Sequence, residues 1–398
     1  MSSGVDSSVC AALFAKSGIY KNVKGIYMQN WGQDSEPELL INDHNRPCYE
    51  KDWKDVMKVA DFLQIPVEKV NFSNDYWLDV FEPMIENYEL GLTPNPDIGC
   101  NRYIKFGKLI DYLDNKYKDE PYYLVTGHYA RVLESSSNGN KYDLYRGYYR
   151  KKDQSYYLSQ INGSILSKLI LPIGHLTKPE VREWANLMNL PTANKPDSQG
   201  ICFVNNSQSK GNFSKFLESY ISDSKSKKSN GGNIITIDPE TGAKKVWGQH
   251  NGLWSYTIGQ KINHISLPQG DPKYKGQWFV GKKLKNTNEI VIVKGRNNPS
   301  LFHNIVKVKD FEFIHKHSNF ADFLSTYSID NLNIQYRSLQ TPNIKIENLK
   351  LLESVDSNNK QDTVIEVTLK DKQRAMVPGQ YCCIYENDKV IGSGIITE

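Results

Sequence analysis

The chain has 398 residues, 39% hydrophobic and 24% charged, which describes a globular protein too long for one typical core and predicts two or three domains. Its 49 basic against 45 acidic residues give a net charge of +4, which permits a polyanionic partner but is far from the strongly basic signature of a dedicated nucleic-acid binder. No apolar stretch approaches the roughly 18 to 20 residues of a spanning helix, no signal-type block opens the chain, and the six cysteines form no C-x-x-C, so we expect a soluble protein, no membrane association, reduced thiols and no metal site.

In chain order, the first half alternates β-branched runs with amphipathic stretches, the pattern of a parallel α/β sheet. A helix opens just after Gly4, with Val5, Val9, Ala12 and Leu13 at helical spacing, and Gly18 stops it before a strand from Val23 to Met28. Helices follow at about Asp52 to Leu63, Asp75 to Leu90 and Lys105 to Tyr117, with strands at Pro66 to Phe72 and Tyr122 to Thr126. Ser135 to Asn140 is a polar turn between two strands, and Lys178 to Leu190 is an amphipathic helix with Pro179 and Glu180 in its first turn. This first, doubly wound domain is expected to span residues 1–205.

Asn212 to Ile221 reads as a helix and Ser222 to Gly232 as a polar linker. The turn Pro239 to Gly242, between strands at Asn233 to Asp238 and Lys245 to Trp247, predicts a small central domain over residues 206–281. From Lys282 strands dominate: Glu289 to Lys294, Asn304 to Lys309, Val364 to Leu369 and Tyr381 to Tyr385 predict an antiparallel, closed or nearly closed β-barrel over residues 282–398.

Four segments carry candidate chemistry. Ser2-Ser-Gly-Val-Asp-Ser-Ser8 places small residues, hydroxyls and backbone amides at a helix N-terminus, the geometry that holds a pyrophosphate, although an ordinary capped helix start has the same composition. Leu92 to Asn101 contains two prolines and a glycine, and this stiffened loop presents Asp97 and Cys100 three residues apart. Cys100 lies off any apolar period beside Asn101 at a helix start, where the dipole favours a thiolate, so we read it as functional rather than as core. Cys202 stands in another polar turn, but Ile201 and Phe203 leave a core role open; Cys382 and Cys383 lie in an apolar strand and read as packing. Thr126-Gly-His-Tyr-Ala-Arg131 follows a strand, at the end where α/β sheets bind ligands, and His128 reads equally as a satisfied interior histidine.

The Ser2 to Ser8 string resembles the S-G-G-x-D-S loop of ATP pyrophosphatases. More specifically, Asn95-Pro-Asp-x-x-Cys-Asn101, Thr126-Gly-His-Tyr-Ala130, Lys152-Asp-Gln154, Pro172-Ile-Gly-His-Leu176, Asp197-Ser-Gln-Gly-Ile-Cys202, Tyr256-Thr-Ile-Gly-Gln260 and Pro378-Gly-Gln380 recur in that order in the tRNA-specific 2-thiouridylase family, which the chain resembles along nearly its whole length.

The resemblance implies a Rossmann-like pyrophosphatase domain, a small central domain and a C-terminal β-barrel. It implies ATP and Mg²⁺, adenylation of the wobble uridine of tRNAs for Lys, Glu and Gln, and sulfur transfer from a persulfide supplied by a cysteine desulfurase or sulfur carrier. By position, Cys202 resembles the persulfide carrier and Cys100 the partner that releases sulfur by forming a disulfide or delivering hydrosulfide, while Asp97 resembles the general acid or base. Asn95, Pro96 and Asp97 resemble residues that recognise the flipped base. Ser2, Ser3, Gly4, Val5, Asp6, Ser7, Met28 and Gly127 match nucleotide-site positions, and His128, Lys152, Asp153, Gln154, Gln335, Tyr336 and Gln380 match positions that touch tRNA.

The family has Gly where this chain has Ser3, which predicts a cost there if the loop requires φ > 0 or a close backbone approach to pyrophosphate; many relatives carry Arg at Lys261 and Gln335. Relatives also place a central strand before the loop, so that first strand is expected to be missing. The segment after Trp31 and the long polar loops look like eukaryotic organellar members, implying a mitochondrial protein whose presequence precedes Met1, or otherwise a cytoplasmic one. Two rival functions remain: an ATP pyrophosphatase-type ligase acting on a small molecule, and a non-catalytic tRNA-binding relative.

Overall fold

The computed structural model describes residues 1–32, 48–118, 120–135, 142–197, 213–221, 231–263, 265, 267–268, 270–317, 320–340, 344–355 and 361–398. Helix α1 (Val5–Ala15) starts directly after Gly4, whose backbone is extended at φ −88°, and Gly18 at φ +70° follows its end. Val5, Val9 and Ala12 face inward at helical spacing and pack with Tyr129, Ile173, Val181 and Ala185. Strand β1 (Gly25–Gln29) pairs in parallel with β2 (Val67–Asn71), connected through α2 (Cys48–Leu63). Parallel strands need such a crossover, which places the helix on the sheet face. Further along, β3 (Leu124–Val125) pairs in parallel with β6 (Leu169–Ile170), completing a Rossmann-like α/β arrangement.

The helix expected from Asp75 is a composite of α3 (Ser73–Tyr76), a π-helical turn (Trp77–Phe81) and α4 (Glu82–Glu89). The helix expected from Lys105 starts earlier, because Pro96 is accommodated in the first turn: α5 (Pro96–Gly99) runs into a π-helix (Cys100–Lys108) and then α6 (Leu109–Lys116). Helix α7 (Lys178–Leu187) is opened by a capping box in which Thr177 and Glu180 satisfy each other's backbone amides.

Two strands with turn chemistry between them, β4 (Ala130–Glu134) and β5 (Tyr142–Arg146), form a hairpin of the first domain; most of the polar turn expected between them lies outside the described residues. The expected linker Ser222 to Gly232 lies largely outside them as well, after the helix Phe213–Ile221. The central sheet has the order β8-β7-β11-β10-β9, built from β7 (Gly232–Ile237), β8 (Lys244–His250), β9 (Lys261–Ile262), β10 (Trp278–Leu284) and β11 (Glu289–Lys294). Glu289–Lys294, expected in the terminal barrel, therefore belongs to the central sheet. Its alternating pattern specifies a half-buried strand but not a partner, and it pairs with both β10 and β7.

The terminal sheet comprises β12 (Phe302–Phe313), β13 (Leu332–Gln335), β14 (Ile344–Val355), β15 (Gln361–Arg374), β16 (Tyr381–Glu386) and β17 (Lys389–Thr397). Strand β12 pairs with β15 and also with β17, which closes these strands into a barrel around Val308, Ile334, Ile346, Val367, Leu369 and Ile384. Closure gives both β12 and β17 a partner on each side. Strand β17 also meets β5 at Lys389 and Tyr145, so the first-domain hairpin extends the barrel sheet. Among the described residues no helix is long and apolar enough to cross a membrane.

Candidate active site

The Ser2 to Ser8 loop lies at the N-terminus of α1 and is ordered by its own hydroxyls. Ser7 Oγ accepts from the Ser2 amide at 3.1 Å, and Ser8 Oγ donates to the Gly4 carbonyl at 3.0 Å. Ser3 is buried, is not among the residues with positive φ, and donates its hydroxyl to Asp52. The φ condition on the cost expected for Ser3 is therefore not met, and its side chain has an acceptor. Gly127 approaches the same loop so closely that a Cβ there would lie 3.0 Å from both Asp6 C and Ser7 N. Met28, on β1, is half-buried at the carboxyl end of that strand.

Asp6, in the first turn of α1, accepts from the Tyr129 hydroxyl at 2.9 Å and from Lys178 Nζ at 2.7 Å. Lys178 also reaches Asp197 at 2.9 Å, and Lys152 and Arg182 contact the same carboxylate at 2.8 and 2.6 Å. Burial pushes the Asp197 carboxyl up, but hydrogen bonds and positive charge from Lys152 and Lys178 outweigh it and hold the group well below the usual carboxylate range. Two carboxylates face three cations here, which leaves excess positive charge beside the loop that would receive pyrophosphate. Tyr129, Lys178 and Arg182 were not recognised as site residues in the sequence. One local signal existed: Lys178 is the first residue of α7, where a cation opposes the helix dipole and calls for an acidic partner.

Asp97 and Cys100 lie one turn apart at the start of the composite helix, spacing that puts both on one face. Burial raises the Asp97 carboxyl above its usual range against the opposing charge of Lys105. Cys100 is buried, in a cluster with Tyr76, Val80, Phe81, Ile104, Phe216 and Trp254, which corrects the reading that it stands outside the core pattern. The physical reason is where the helix begins: it starts at Pro96 rather than Lys105, so Cys100 lies on the helix four residues before Ile104 and shares its inward face. Asn30, just beyond β1, directs its side-chain amide toward Cys100 Sγ at 4.0 Å. Among the described residues, Asn30 Oδ1, Asn101 Oδ1 and Thr93 Oγ1 are buried without a hydrogen-bond partner, which leaves polar capacity around the Asp97 and Cys100 turn.

His128 Nδ1 lies 2.8 Å from Thr126 Oγ1 and its ring packs on Phe106 at 5.6 Å. Burial, with a contribution from Lys105, pushes the imidazole down to about 3, so it is neutral at physiological pH. Asn95 is the N-cap and Pro96 the first residue of α5. Lys152 is partly exposed, and Gln154 accepts from the Tyr129 amide at 2.9 Å.

Three side chains matched to tRNA contacts point inward instead. Asp153, Gln335 and Tyr336 are buried, with Arg146 donating to Asp153 at 3.2 Å and to Gln335 at 2.7 Å. Arg146 supplies the cation at this junction, and the Gln335 amide oxygen accepts from it. Gln380 donates to the carbonyls of Thr93 and Pro94 at 2.7 and 3.3 Å, bracing the chain that leads into Asp97. Gly379, at φ +94°, allows this approach, since a Cβ there would lie 2.7 Å from the Thr93 amide. Cys202 lies outside the described residues.

A loop of this kind on a Rossmann-like domain, followed by a central sheet and a closed barrel, is the architecture described by three family models. They match as the tRNA methyl transferase HUP domain over residues 1–206, the tRNA methyl transferase PRC-barrel domain over 214–294 and the aminomethyltransferase beta-barrel domain over 305–396. Among curated proteins, the chain is 54% identical to mitochondrial tRNA-specific 2-thiouridylase 1 of Saccharomyces cerevisiae, over 100% of this chain and 90% of that protein. It is 38% identical to the tRNA-specific 2-thiouridylase MnmA of Mycoplasma mobile and 36% identical to that of Lactiplantibacillus plantarum, over 100% of this chain and 95% and 93% of theirs. The chain belongs to the tRNA-specific 2-thiouridylase family.

Proposed function

We propose that this chain is an ATP-dependent tRNA 2-thiouridylase that converts the wobble uridine of tRNAs for Lys, Glu and Gln to 2-thiouridine. The observation that carries the reading is the pairing of Asp97 with Cys100 on one helical face beside unsatisfied buried polar atoms, with Asn30, just beyond the carboxyl end of β1, directed at the Cys100 sulfur. ATP is a substrate of this reaction: the uracil O2 takes the adenylyl group, pyrophosphate departs toward the amides and hydroxyls of Ser2 to Ser8, and a poor leaving oxygen becomes a good one. The amides and hydroxyls of Ser2 to Ser8 suit the pyrophosphate, Gly127 lets its own chain lie against that loop, and Asp6 would hold Mg²⁺, since such an ion needs few protein carboxylates when phosphates complete its shell. When bound, Mg²⁺ supplies charge neutralisation to the phosphates.

Cys202 carries the incoming sulfur as a persulfide. The Cys100 thiolate attacks the Cys202 sulfur, forming a disulfide and releasing hydrosulfide, which adds to carbon 2 of the activated uracil as AMP leaves. A thiol reductant supplies two electrons to restore both cysteines. Asp97, with its raised carboxyl, exchanges protons with the base. Lys152, Gln154 and His128 face the RNA, and Asn95 and Pro96 shape the entrance for the flipped base. A cysteine desulfurase or a sulfur carrier supplies the persulfide, and the likeness to a mitochondrial relative supports a mitochondrial site of action.

The test is reconstitution with ATP, Mg²⁺, a persulfide donor and unmodified tRNA, read by nucleoside mass spectrometry. ATP-dependent 2-thiouridine at the wobble position is expected. Adenylation of a small molecule without tRNA thiolation, or tRNA binding without ATP turnover, overturns the reading in favour of a ligase or a non-catalytic binder respectively.

A further inference from the structure

The backbone from Gly91 to Pro94, which leads into the Asp97 and Cys100 turn, is held by the other two domains. Gly91 ends α4 at φ +73°, with its amide on the Tyr88 carbonyl at 2.8 Å, and its own carbonyl accepts from Lys283 Nζ on β10 of the central sheet at 2.9 Å. Leu253 closes over the same glycine, since a Cβ at Gly91 would lie 3.2 Å from the Leu253 Cβ. Two residues on, the Thr93 amide donates to the Pro378 carbonyl at 3.0 Å, and the Gln380 amide reaches the Thr93 and Pro94 carbonyls from the barrel. That barrel turn is itself fixed: the Gly379 amide donates to the Ile396 carbonyl at 2.9 Å and the Ile396 amide to the Gln380 carbonyl at 2.8 Å.

Residues 91–95 belong to no helix or strand, so their amides and carbonyls need partners from elsewhere. Pro94 and Pro96 fix their own φ and bias the residues before them toward extended backbone, as Asn95 shows at φ −121° and ψ 94°. Few rotations are left to absorb a shift before Asp97, which stands three residues and at most about 11 Å beyond Pro94. A displacement at the clamps therefore reaches the carboxylate, and a misplacement of about 1 Å is enough to slow a reaction about a hundredfold. Lys283 is buried, which is costly for an ammonium, and its charge is directed at a main-chain carbonyl on the approach to the site. Gln380, matched to an RNA contact by resemblance, has its amide nitrogen engaged by the loop instead.

We propose that Lys283 and Gln380 are positioning residues for the reaction: the central domain and the barrel each hold one end of the Gly91 to Pro94 segment and together set where Asp97 and Cys100 stand. The inference rests on the reading of Asp97 and Cys100 as reacting groups. Neither side chain touches the substrate in this role, and each acts through the backbone it holds.

The experiment compares the full native chain with Lys283→Met and Gln380→Leu in the reconstituted thiolation of tRNA. The Kd for tRNA is measured separately by filter binding, and the folded fraction at the assay temperature by circular dichroism. Each variant, fully folded, is expected to lose about tenfold or more in kcat while its Kd for tRNA stays within about twofold of native. The limb of the kcat pH profile that Asp97→Asn abolishes should also move toward the ordinary carboxylate range, about 4, because a loosened turn admits water to a carboxyl that burial now holds high. A Gln380→Leu protein with native kcat and a weakened Kd is an RNA-contact variant and overturns the positioning role. A kcat loss in which the Asp97 limb stays in place overturns it as well, since the turn has then not moved. If one variant does not fold, the other decides, because each removes one of the two ties. A native chain that makes no 2-thiouridine overturns the proposed function itself, an outcome read before either variant is compared.

Discussion

The side-chain amide of Asn101 donates to the main-chain carbonyl of Asp97 at 3.0 Å. The same amide also donates to the Tyr157 carbonyl at 3.2 Å, so a buried side chain pins the first turn of the composite helix to a distant segment. Asp97 thereby projects from a fixed backbone, and Cys100 follows it where the helix widens. Rigid support of this kind holds reacting groups in place before substrate arrives.

Asp97→Asn separates catalysis from stability. Burial raises the Asp97 carboxyl in the folded state, so its ionisation opposes folding: the contribution is favourable at acid pH, where the group is protonated, and is lost as pH rises through the folded value. The variant should lose thiolation by about a hundredfold or more. Its melting temperature at pH 7.5 should equal or exceed the native value, with any gain shrinking toward about pH 4. A large drop in melting temperature at neutral pH would show that the charged carboxylate is satisfied in the fold.

The two thiols should divide the sulfur chemistry. Cys202→Ser is expected to abolish persulfide loading and thiolation with near-native tRNA binding, and Cys100→Ser to allow loading but block transfer. A direct disulfide needs their Cα atoms within roughly 7 Å, which loop closure over tRNA can supply. Cys382→Ser is the control: the residue is fully buried in β16, and its loss should affect stability by about 1–3 kcal/mol without touching transfer. Thiolation by Cys202→Ser with inorganic sulfide excluded would refute its assignment.

Arg146 of the hairpin and Asp153, just after it in the first domain, form a buried ion pair against the barrel, with the guanidinium stacked 3.5 Å over the Tyr385 ring. Arg146→Met leaves the Asp153 carboxylate buried without its cation and should destabilise the protein by about 3–5 kcal/mol in urea unfolding. Adding Asp153→Asn should recover part of that loss. A double variant as unstable as the sum of the single ones would exclude coupling between the two groups.

Lys283 offers a pH test of the junction between the first and central domains. Its ammonium is buried and donates to the Gly91 carbonyl at 2.9 Å, and burial, reinforced by Lys285, pushes it down to about 7. A depressed lysine binds its proton less readily in the folded state, so stability is lost as pH falls from about 10.5 toward 7. Lys283→Met removes that liability at the cost of one hydrogen bond, about 1 kcal/mol. The difference in melting temperature, variant minus native, should therefore grow in favour of the variant between pH 10 and 7. A difference that does not vary with pH would show that Lys283 is solvated.

Local sequence determined much of this protein. The apolar spacing of Val5, Val9 and Ala12 specified α1, the Pro179 and Glu180 signals located α7, and ordered motifs from Ser2 to Gln380 identified the family and its three-part fold. These are legible because helix periods, caps and turn residues act over a few neighbouring positions. Tertiary structure decided the rest. The helix expected from Lys105 left Cys100 outside any helical period, whereas the helix that begins at Pro96 puts it in the core beside Ile104. The alternation in Glu289–Lys294 did not name the sheet it joins, and the motif positions Asp153 and Gln335 did not disclose that Arg146 holds them inside. Lys178 shows the limit most plainly, since Asp6 lies 172 residues away and a pairing so remote leaves no local pattern; only the fold, by burying one ammonium between two carboxylates, makes it part of the site.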